Sequence, residues 1–294
     1  MNLFYMKKYS TVWLLLLCIQ VRPDVLIFDM DGVLLGHKEG AGVLFASCGA
    51  LDVVRSCFSV AGLFVKCKVS HPRMGFRQLL VKDYFDELAQ TLDPNTGMPY
   101  QSKTHYQIYS DDGVTPMPPL LKDLMLGAIT YEQARDIWYA DINAHPFFYH
   151  NVFEINFNPD RFISMLYTLP TVDLLQYCAQ QVNGDGTKKH CCMVLSNMGV
   201  EAAERIKQKF AQEITPYVNC WVYSGNVHCA KPDRSIYDIC LHYIATLPEH
   251  MREKVFFIDD QQVNRDAACA CIPGIICMHP DDAREILTNS QILA

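Results

Sequence analysis

The first of four informative segments in this chain is DVLIFDMDGVLL, residues 24–35. It opens with a continuous apolar run and then carries two acidic residues, Asp29 and Asp31. A short apolar run of this kind predicts a strand that is buried on both faces, as in a parallel sheet. Ligands bind at the carboxyl ends of such strands, so Asp29 and Asp31 are candidate site residues.

Three later segments repeat this arrangement of an apolar run followed by a small or charged residue. They are VLSNMG with Ser196, AKPDRSIYD with Lys231, and FFIDDQQVN with Asp259 and Asp260. Together the four segments predict that several carboxylates, one hydroxyl and one ammonium converge at one edge of a sheet. Clustered carboxylates suit a hard cation such as Mg²⁺, and an ammonium beside a nucleophilic carboxylate suits a phosphoryl group.

The rest of the C-terminal half alternates apolar runs with amphipathic segments. Strands are predicted at 24–28, 190–195, 218–223, 255–258 and 275–278. Helices are predicted at 168–182, 201–212, 235–245, 264–271 and 281–287. This alternation is typical of an α/β protein with a doubly wound parallel sheet.

A long insertion separates Asp31 from Ser196, far longer than a single crossover between parallel strands needs. We predict a mainly helical cap domain at 36–167, and a core domain formed by 23–35 and 168–294. Cap helices are expected at 40–65, 76–91, 118–128 and 130–142, the last one opened by a capping box at Thr130 and Gln133. The stretch 93–119 is rich in Pro, Gly, Tyr and Asp and predicts a long loop.

The four segments, in this order, resemble the haloacid dehalogenase-like (HAD) hydrolases. The phrases KPDRSIYD and FFIDD resemble most closely the phosphatase subfamily IA of that superfamily. The resemblance implies a Rossmann-like HAD core with an inserted cap, in which strand one lies centrally beside strands two and four.

The resemblance also implies roles for the conspicuous residues. Asp29 corresponds to the nucleophile that forms an aspartyl-phosphate, and Asp31 to the general acid/base. The groups that hold the phosphate correspond to the Ser196 hydroxyl, the Lys231 side chain and the backbone N–H of Asn197. Lys231 also corresponds to a catalytic cation. The implied Mg²⁺ ligands are Asp29, Asp31 through its backbone carbonyl, Asp260, and Asp259 directly or through water.

One position departs from part of the family. Where some members have a second acid, four residues after Asp260, this chain has Asn264. We expect Asn264 to accept a hydrogen bond from a metal-bound water, and the metal site to work more weakly than with an acid.

The leading functional hypothesis is a Mg²⁺-dependent phosphatase that acts on a small phosphorylated metabolite, which the cap would select. A phosphomutase, which also keeps both aspartates, is one alternative. A second alternative is a non-catalytic binding protein on a HAD scaffold, although uncompensated clustered carboxylates are costly without a metal. A haloacid dehalogenase is disfavoured, because those enzymes lack an acid at the position of Asp31.

Composition limits the class of protein. The chain has 294 residues, of which 50% are hydrophobic, so a sizeable core is expected rather than disorder. Its formal net charge is −7, and no long Lys/Arg run marks a nucleic-acid surface. Oligomeric state is left open by the sequence.

The N-terminus predicts export. A short basic stretch at 6–10 precedes a largely apolar run at 11–21, which is typical of a signal peptide, here assigned to 1–22. The run is too short for a comfortable membrane span, so no transmembrane segment is expected after its removal. A cytoplasmic protein, or one anchored by its N-terminus, is the alternative.

The chain has 13 cysteines. Cys191 and Cys192 are expected to be small buried hydrophobes in a strand. For the cap cysteines, Cys48, Cys57 and Cys67, disulfide and free thiol are equally favoured.

Overall fold

A computed structural model describes residues 24–37, 84–109, 115–140, 149–150, 153–154 and 157–293. The expected signal peptide, the apolar segment 40–65 and the three cap cysteines lie outside these residues. In chain order the strands are β1 Val25–Phe28, β2 Leu35–His37, β3 Leu166–Thr168, β4 Cys191–Ser196, β5 Cys220–Tyr223, β6 Val255–Ile258 and β7 Ile276–Met278.

Five of these strands form one parallel sheet in the order β5-β4-β1-β6-β7. β1 is central, with Phe28 level with Val194 of β4 and Ile258 of β6. The predicted α/β fold with a parallel sheet is therefore confirmed. The strands predicted at 190–195 and 255–258, now β4 and β6, lie on either side of β1 as expected. Every residue of β1, β4 and β6 is buried, which explains why these strands are recognisable as continuous apolar runs. Cys191 and Cys192 lie in β4 and are buried, as expected.

Helices cover both faces of the sheet. The helices are α1 Pro119–Met125, α2 Tyr131–Tyr139, α3 Pro159–Met165, α4 Thr171–Gln180, α5 Val200–Lys209, α6 Ser224–Val227, α7 Arg234–Thr246, α8 Gln262–Cys271 and α9 Pro280–Asn289. Leu26 and Phe28 pack with α4, α5 and α9 in one apolar cluster, whereas Val25 and Ile27 pack with α7 and α8 in another. The alternation along β1 thus gives the core its two layers.

The entry to the insertion differs from the prediction. β2 and β3 pair antiparallel, with Leu35 level with Thr168, and form a two-stranded ribbon at the two ends of the insertion. The helix expected at 168–182 therefore begins only at Thr171, after the ribbon and Pro170. Neither strand was predicted, because three residues are too few to show a periodic pattern.

Apart from β2 and β3, the regular secondary structure in the described part of the insertion is helical. Residues 84–89 are helical inside the helix predicted at 76–91, and α1 and α2 lie inside the helices predicted at 118–128 and 130–142. The capping box is confirmed: the N–H of Gln133 donates to Oγ1 of Thr130 at 3.2 Å, and the N–H of Thr130 donates to Oε1 of Gln133 at 3.0 Å. α3, capped by Asn158, was not predicted.

The insertion has an aromatic core of its own. Tyr84, Trp138, Tyr149 and Phe153 are buried together, with Trp138 and Phe153 stacked at a centroid distance of 5.8 Å. The loop predicted at 93–119 is held against α1 by the buried carboxylate of Asp123. That carboxylate accepts hydrogen bonds from Tyr100 Oη at 2.8 Å and Ser102 Oγ at 2.6 Å. The boundaries of the two domains stay a prediction.

Across the part of the chain that the structure describes, no helix is both long and apolar enough to cross a membrane.

Candidate active site

Polar residues follow the central strands of the sheet at its carboxyl edge. Asp29 follows β1 and Asp259 follows β6, and the register of these strands makes the two aspartates neighbours. Ser196 is the buried last residue of β4, on the other side of β1. The sheet thus brings together residues that are far apart in the sequence.

Lys231 lies between the two aspartates. Its Nζ is 2.8 Å from Oδ1 of Asp29 and 2.7 Å from Oδ2 of Asp259, and the three side chains are almost wholly buried. Burial opposes the charged ammonium, but the two carboxylates outweigh it and raise the pKa of Lys231 to about 12. Lys231 is therefore a fixed positive charge in the site.

The side chain of Asn197 holds the backbone of Lys231. Its Oδ1 accepts from the Lys231 N–H and its Nδ2 donates to the Lys231 carbonyl, both at 2.8 Å. From the sequence, Asn197 was expected to contact phosphate only through its backbone N–H. The role of its side chain was missed, because it depends on two loops that meet only in the folded protein.

Asp259 is held from several sides. Oδ1 accepts from the Gln261 N–H at 2.8 Å, and Oδ2 accepts from Lys231. The buried amide of Asn264 donates to Oδ1 at 3.1 Å and to Oδ2 at 3.2 Å. Asn264 thus supports Asp259, which is a different contact from the expected one with a metal-bound water.

Asp260 faces the turn that carries Asp31. Gly32 has a φ of +71°, and a Cβ at this position would lie 2.6 Å from Oδ2 of Asp260, so both conformation and space require glycine. Oδ1 of Asp260 is buried and has no hydrogen-bond partner among the described residues. Burial, together with the charges of Asp259 and Asp31, raises the pKa of Asp260.

Asp29, Asp259 and Asp260 form a compact acidic cluster. Each offers a carboxylate oxygen, and these oxygens lie within 4.8 Å of one another. When all three acids are ionised, three carboxylates against one ammonium leave an excess of two negative charges. Burial raises the pKa of Asp29 to about 8, with Asp259 adding to the effect and Lys231 opposing it.

These residues fit a magnesium ion. The donors are all oxygen, the excess charge matches a divalent cation, and Oδ1 of Asp260 is a buried acceptor in need of a partner. The side chain of Asp31 is exposed and is not a member of the three-carboxylate cluster. Its predicted metal contact through the backbone carbonyl stays a prediction.

Comparison with known proteins gives matches in structure only. No family model matches the chain, and no curated protein is significantly similar to it in sequence. The chain is similar in structure to a HAD family enzyme from Bacteroides thetaiotaomicron in complex with magnesium and inorganic phosphate. The identity is 17%, the TM-score is 0.46, and the match covers 87% of this chain and 93% of that chain.

Two further solved structures show a similar degree of likeness. A HAD-like family hydrolase from Porphyromonas gingivalis is 15% identical, with a TM-score of 0.46 and coverage of 92% of this chain and 98% of that chain. A HAD hydrolase from Bacillus subtilis bound to magnesium is 12% identical, with a TM-score of 0.43 and coverage of 90% and 99%. The structures found are of the same superfamily that the four segments resemble, and the assignment to subfamily IA stays a prediction.

Proposed function

We propose that the protein is a magnesium-dependent phosphatase that hydrolyses a small phosphomonoester through a phosphorylated aspartate. The observation that carries the proposal is the buried Lys231 ammonium between Asp29 and Asp259, beside the partnerless oxygen of Asp260. A nucleophilic carboxylate, a fixed cation and a cluster of oxygen ligands that fits a divalent metal are what attack on a phosphoryl dianion needs.

Asp29 and Asp260 would hold Mg²⁺, with the Asp31 carbonyl as a further ligand. Asp259 would support the site indirectly, because its oxygens already bind Lys231, Asn264 and the Gln261 N–H. When bound, Mg²⁺ supplies a Lewis acid that offsets the repulsion between the phosphoryl group and the carboxylate nucleophile.

In the first half-reaction a carboxylate oxygen of Asp29 attacks phosphorus and the bond from phosphorus to the ester oxygen breaks. Asp31, in its protonated form, gives its proton to the departing alkoxide. The exposed position of Asp31 allows contact with a leaving group outside the buried cluster.

In the second half-reaction Asp31, now a carboxylate, takes a proton from water. The water oxygen attacks phosphorus, and the bond from phosphorus to Asp29 breaks. Inorganic phosphate leaves, Asp29 is a free carboxylate again and Asp31 is protonated again, so the cycle is balanced.

Lys231 and Ser196 would bind the non-bridging phosphoryl oxygens. Lys231 is fixed through Asn197 and the two aspartates before substrate arrives, so little reorganisation accompanies the reaction. Preorganised charge of this kind is usually the largest catalytic term.

Hydrolysis of p-nitrophenyl phosphate by the purified chain, with and without Mg²⁺, tests the proposal. We expect turnover only with Mg²⁺, and its loss in Asp29→Asn with the fold retained. Turnover that survives in Asp29→Asn, or that is equally fast in EDTA, would overturn the proposed function.

A further inference from the structure

The short helix α6 joins the insertion to the turn after Ser196, and the mechanism above does not use it. Ser224, its first residue, is fully buried. The Ser224 hydroxyl accepts a hydrogen bond from the N–H of Met198 at 2.8 Å and lies 2.7 Å from the carbonyl oxygen of Met125. A hydroxyl has one proton to donate, and Met125 is the nearer acceptor, since the carbonyl of Met198 lies at 3.2 Å. Ser224 thus bridges the backbones of two distant segments.

The hydrogen bond to Met125 satisfies a carbonyl at the C-terminal end of a helix. Met125 ends α1, and the last carbonyls of a helix have no partner inside the helix. Nδ1 of His228 lies 2.8 Å from the carbonyl oxygen of Leu126, so it donates to the next of these carbonyls. Ser224 and His228 therefore cap α1 from the core of the protein.

The same segments touch through backbone and apolar contacts. A Cβ added to Gly127 would lie 2.2 Å from the carbonyl oxygen of Gly225, so the two backbone segments approach as closely as glycine allows. The N–H of Gly225 donates to the Met198 carbonyl at 2.9 Å. Leu126 is also buried with Ala230, the residue before Lys231.

We propose that Ser224 is a positioning residue for the phosphate-binding turn, defined here as residues 196–199, and that it couples this turn to α1 of the insertion. The inference rests on the function proposed above and adds a means by which the insertion acts on phosphate binding. With α1 in place, the Ser224 proton is directed to Met125 and an oxygen lone pair faces the N–H of Met198. A displacement of α1 removes the Met125 acceptor and frees the hydroxyl to rotate, which loosens the turn.

Ser224→Ala tests this coupling, because it leaves the buried N–H of Met198 and the carbonyl of Met125 without their partner. We expect the inhibition constant of inorganic phosphate, measured with Mg²⁺ and p-nitrophenyl phosphate, to rise by about tenfold. In the free protein we expect faster hydrogen exchange in peptides that span 124–128 and 196–200.

Two further sets of variants separate coupling from general loss of stability. Ser102→Ala removes a hydroxyl that donates to Asp123 within the insertion, and it should leave phosphate inhibition and exchange at 196–200 unchanged. His228 has a left-handed φ of 57°. His228→Asn keeps a side-chain donor and tolerates that conformation, so it should resemble the unmodified protein. His228→Ala should change both readouts in the direction of Ser224→Ala, and this pair carries the test if Ser224→Ala does not fold.

The outcomes separate this inference from the proposed function. A folded Ser224→Ala protein with unchanged phosphate inhibition and unchanged exchange at 196–200 would overturn the inference, as would equal changes in Ser102→Ala. A wild-type protein that neither turns over p-nitrophenyl phosphate nor binds phosphate would instead overturn the proposed function, and the exchange measurements would still decide whether Ser224 orders the turn.

Discussion

The ammonium of Lys231 lies 2.8 Å from the carboxylate of Asp29, and both groups are buried at the carboxyl edge of the sheet. The second partner of Lys231, Asp259, is fully buried. This arrangement keeps a positive charge beside the candidate nucleophile before any substrate or metal binds. Removal of the ammonium leaves buried carboxylates facing one another, which carries a severe electrostatic penalty.

Lys231→Met should therefore destabilise the metal-free protein by about 3 kcal/mol or more, because it breaks a buried ion pair without removing the carboxylates. Urea denaturation measures the free energy of unfolding. Lys103→Met is the matched control: Lys103 is exposed, and the change should alter stability by about 0.5 kcal/mol at most. Equal stability of the two variants would contradict the structural role assigned to Lys231.

Mg²⁺ should stabilise the folded protein, because it relieves repulsion within the cluster of Asp29, Asp259 and Asp260. At a concentration 100 times its dissociation constant, it should add about 2.7 kcal/mol to the free energy of unfolding. Asp260→Ala should abolish this effect, whereas Asp31→Asn should keep it, since the backbone carbonyl of Asp31 is retained. Thermal melts with and without Mg²⁺ make the comparison. A Mg²⁺ shift that persists in Asp260→Ala would show that the ion binds elsewhere.

Asp31→Asn should lower kcat/KM by about 10²–10⁴-fold on an alkyl phosphate, whose alkoxide needs a proton to depart. The loss should be smaller on p-nitrophenyl phosphate, because nitrophenolate leaves without one. kcat/KM is the informative parameter, since it reports the steps up to phosphorylation. An equal loss on both substrates would argue against Asp31 as the acid.

Stability should depend on pH through His190. Burial, with a smaller effect from Lys189, lowers the pKa of His190 to about 4, whereas the unfolded chain has a pKa of about 6.5. Between these two pKa values, His190 is therefore protonated in the unfolded state and neutral in the folded state. The contribution of neutral His190 to the free energy of unfolding is fully present above pH 6.5 and is lost as pH falls towards 4. The loss amounts to about 2 kcal/mol at pH 5.

Urea denaturation at pH 8 and pH 5, for the unmodified protein and His190→Asn, checks this expectation. Burial raises the pKa of nearby Asp24 to about 6, so the contribution of Asp24 to stability increases as pH falls, opposite to that of His190. Because Asp24 is present in both proteins, its effect cancels in the comparison. The unmodified protein should lose about 2 kcal/mol more than the variant between the two pH values. Parallel losses would mean that His190 is protonated in the folded state.

The central sheet was predictable from the sequence for a physical reason. β1, β4 and β6 are buried on both faces, so they are apolar apart from Ser196 at the end of β4. The polar residues at their carboxyl ends, Asp29, Ser196 and Asp259, mark one edge of the sheet. The ribbon of β2 and β3 was not predictable, because it exists only through pairing between residues at the two ends of the insertion.

The residues of the candidate site were predictable from the sequence, but the hydrogen bonds and ion pairs among them were not. Adjacent acids such as Asp259 and Asp260 look alike in a sequence, yet one binds Lys231 and the other presents a partnerless oxygen. The bridge from Met125 through Ser224 to Met198 joins three segments, and no local pattern in the sequence shows that they are in contact.

Trapping of the phosphorylated enzyme shows directly whether Asp29 is the nucleophile. Borohydride treatment of protein quenched during turnover of p-nitrophenyl phosphate with Mg²⁺ would reduce an aspartyl-phosphate to homoserine, which peptide mass spectrometry locates. We predict homoserine at position 29 in the unmodified protein and none in Asp29→Asn, if Asp29 is the nucleophile. Rapid turnover with no modification at Asp29, or with phosphate trapped on another residue, would contradict this assignment.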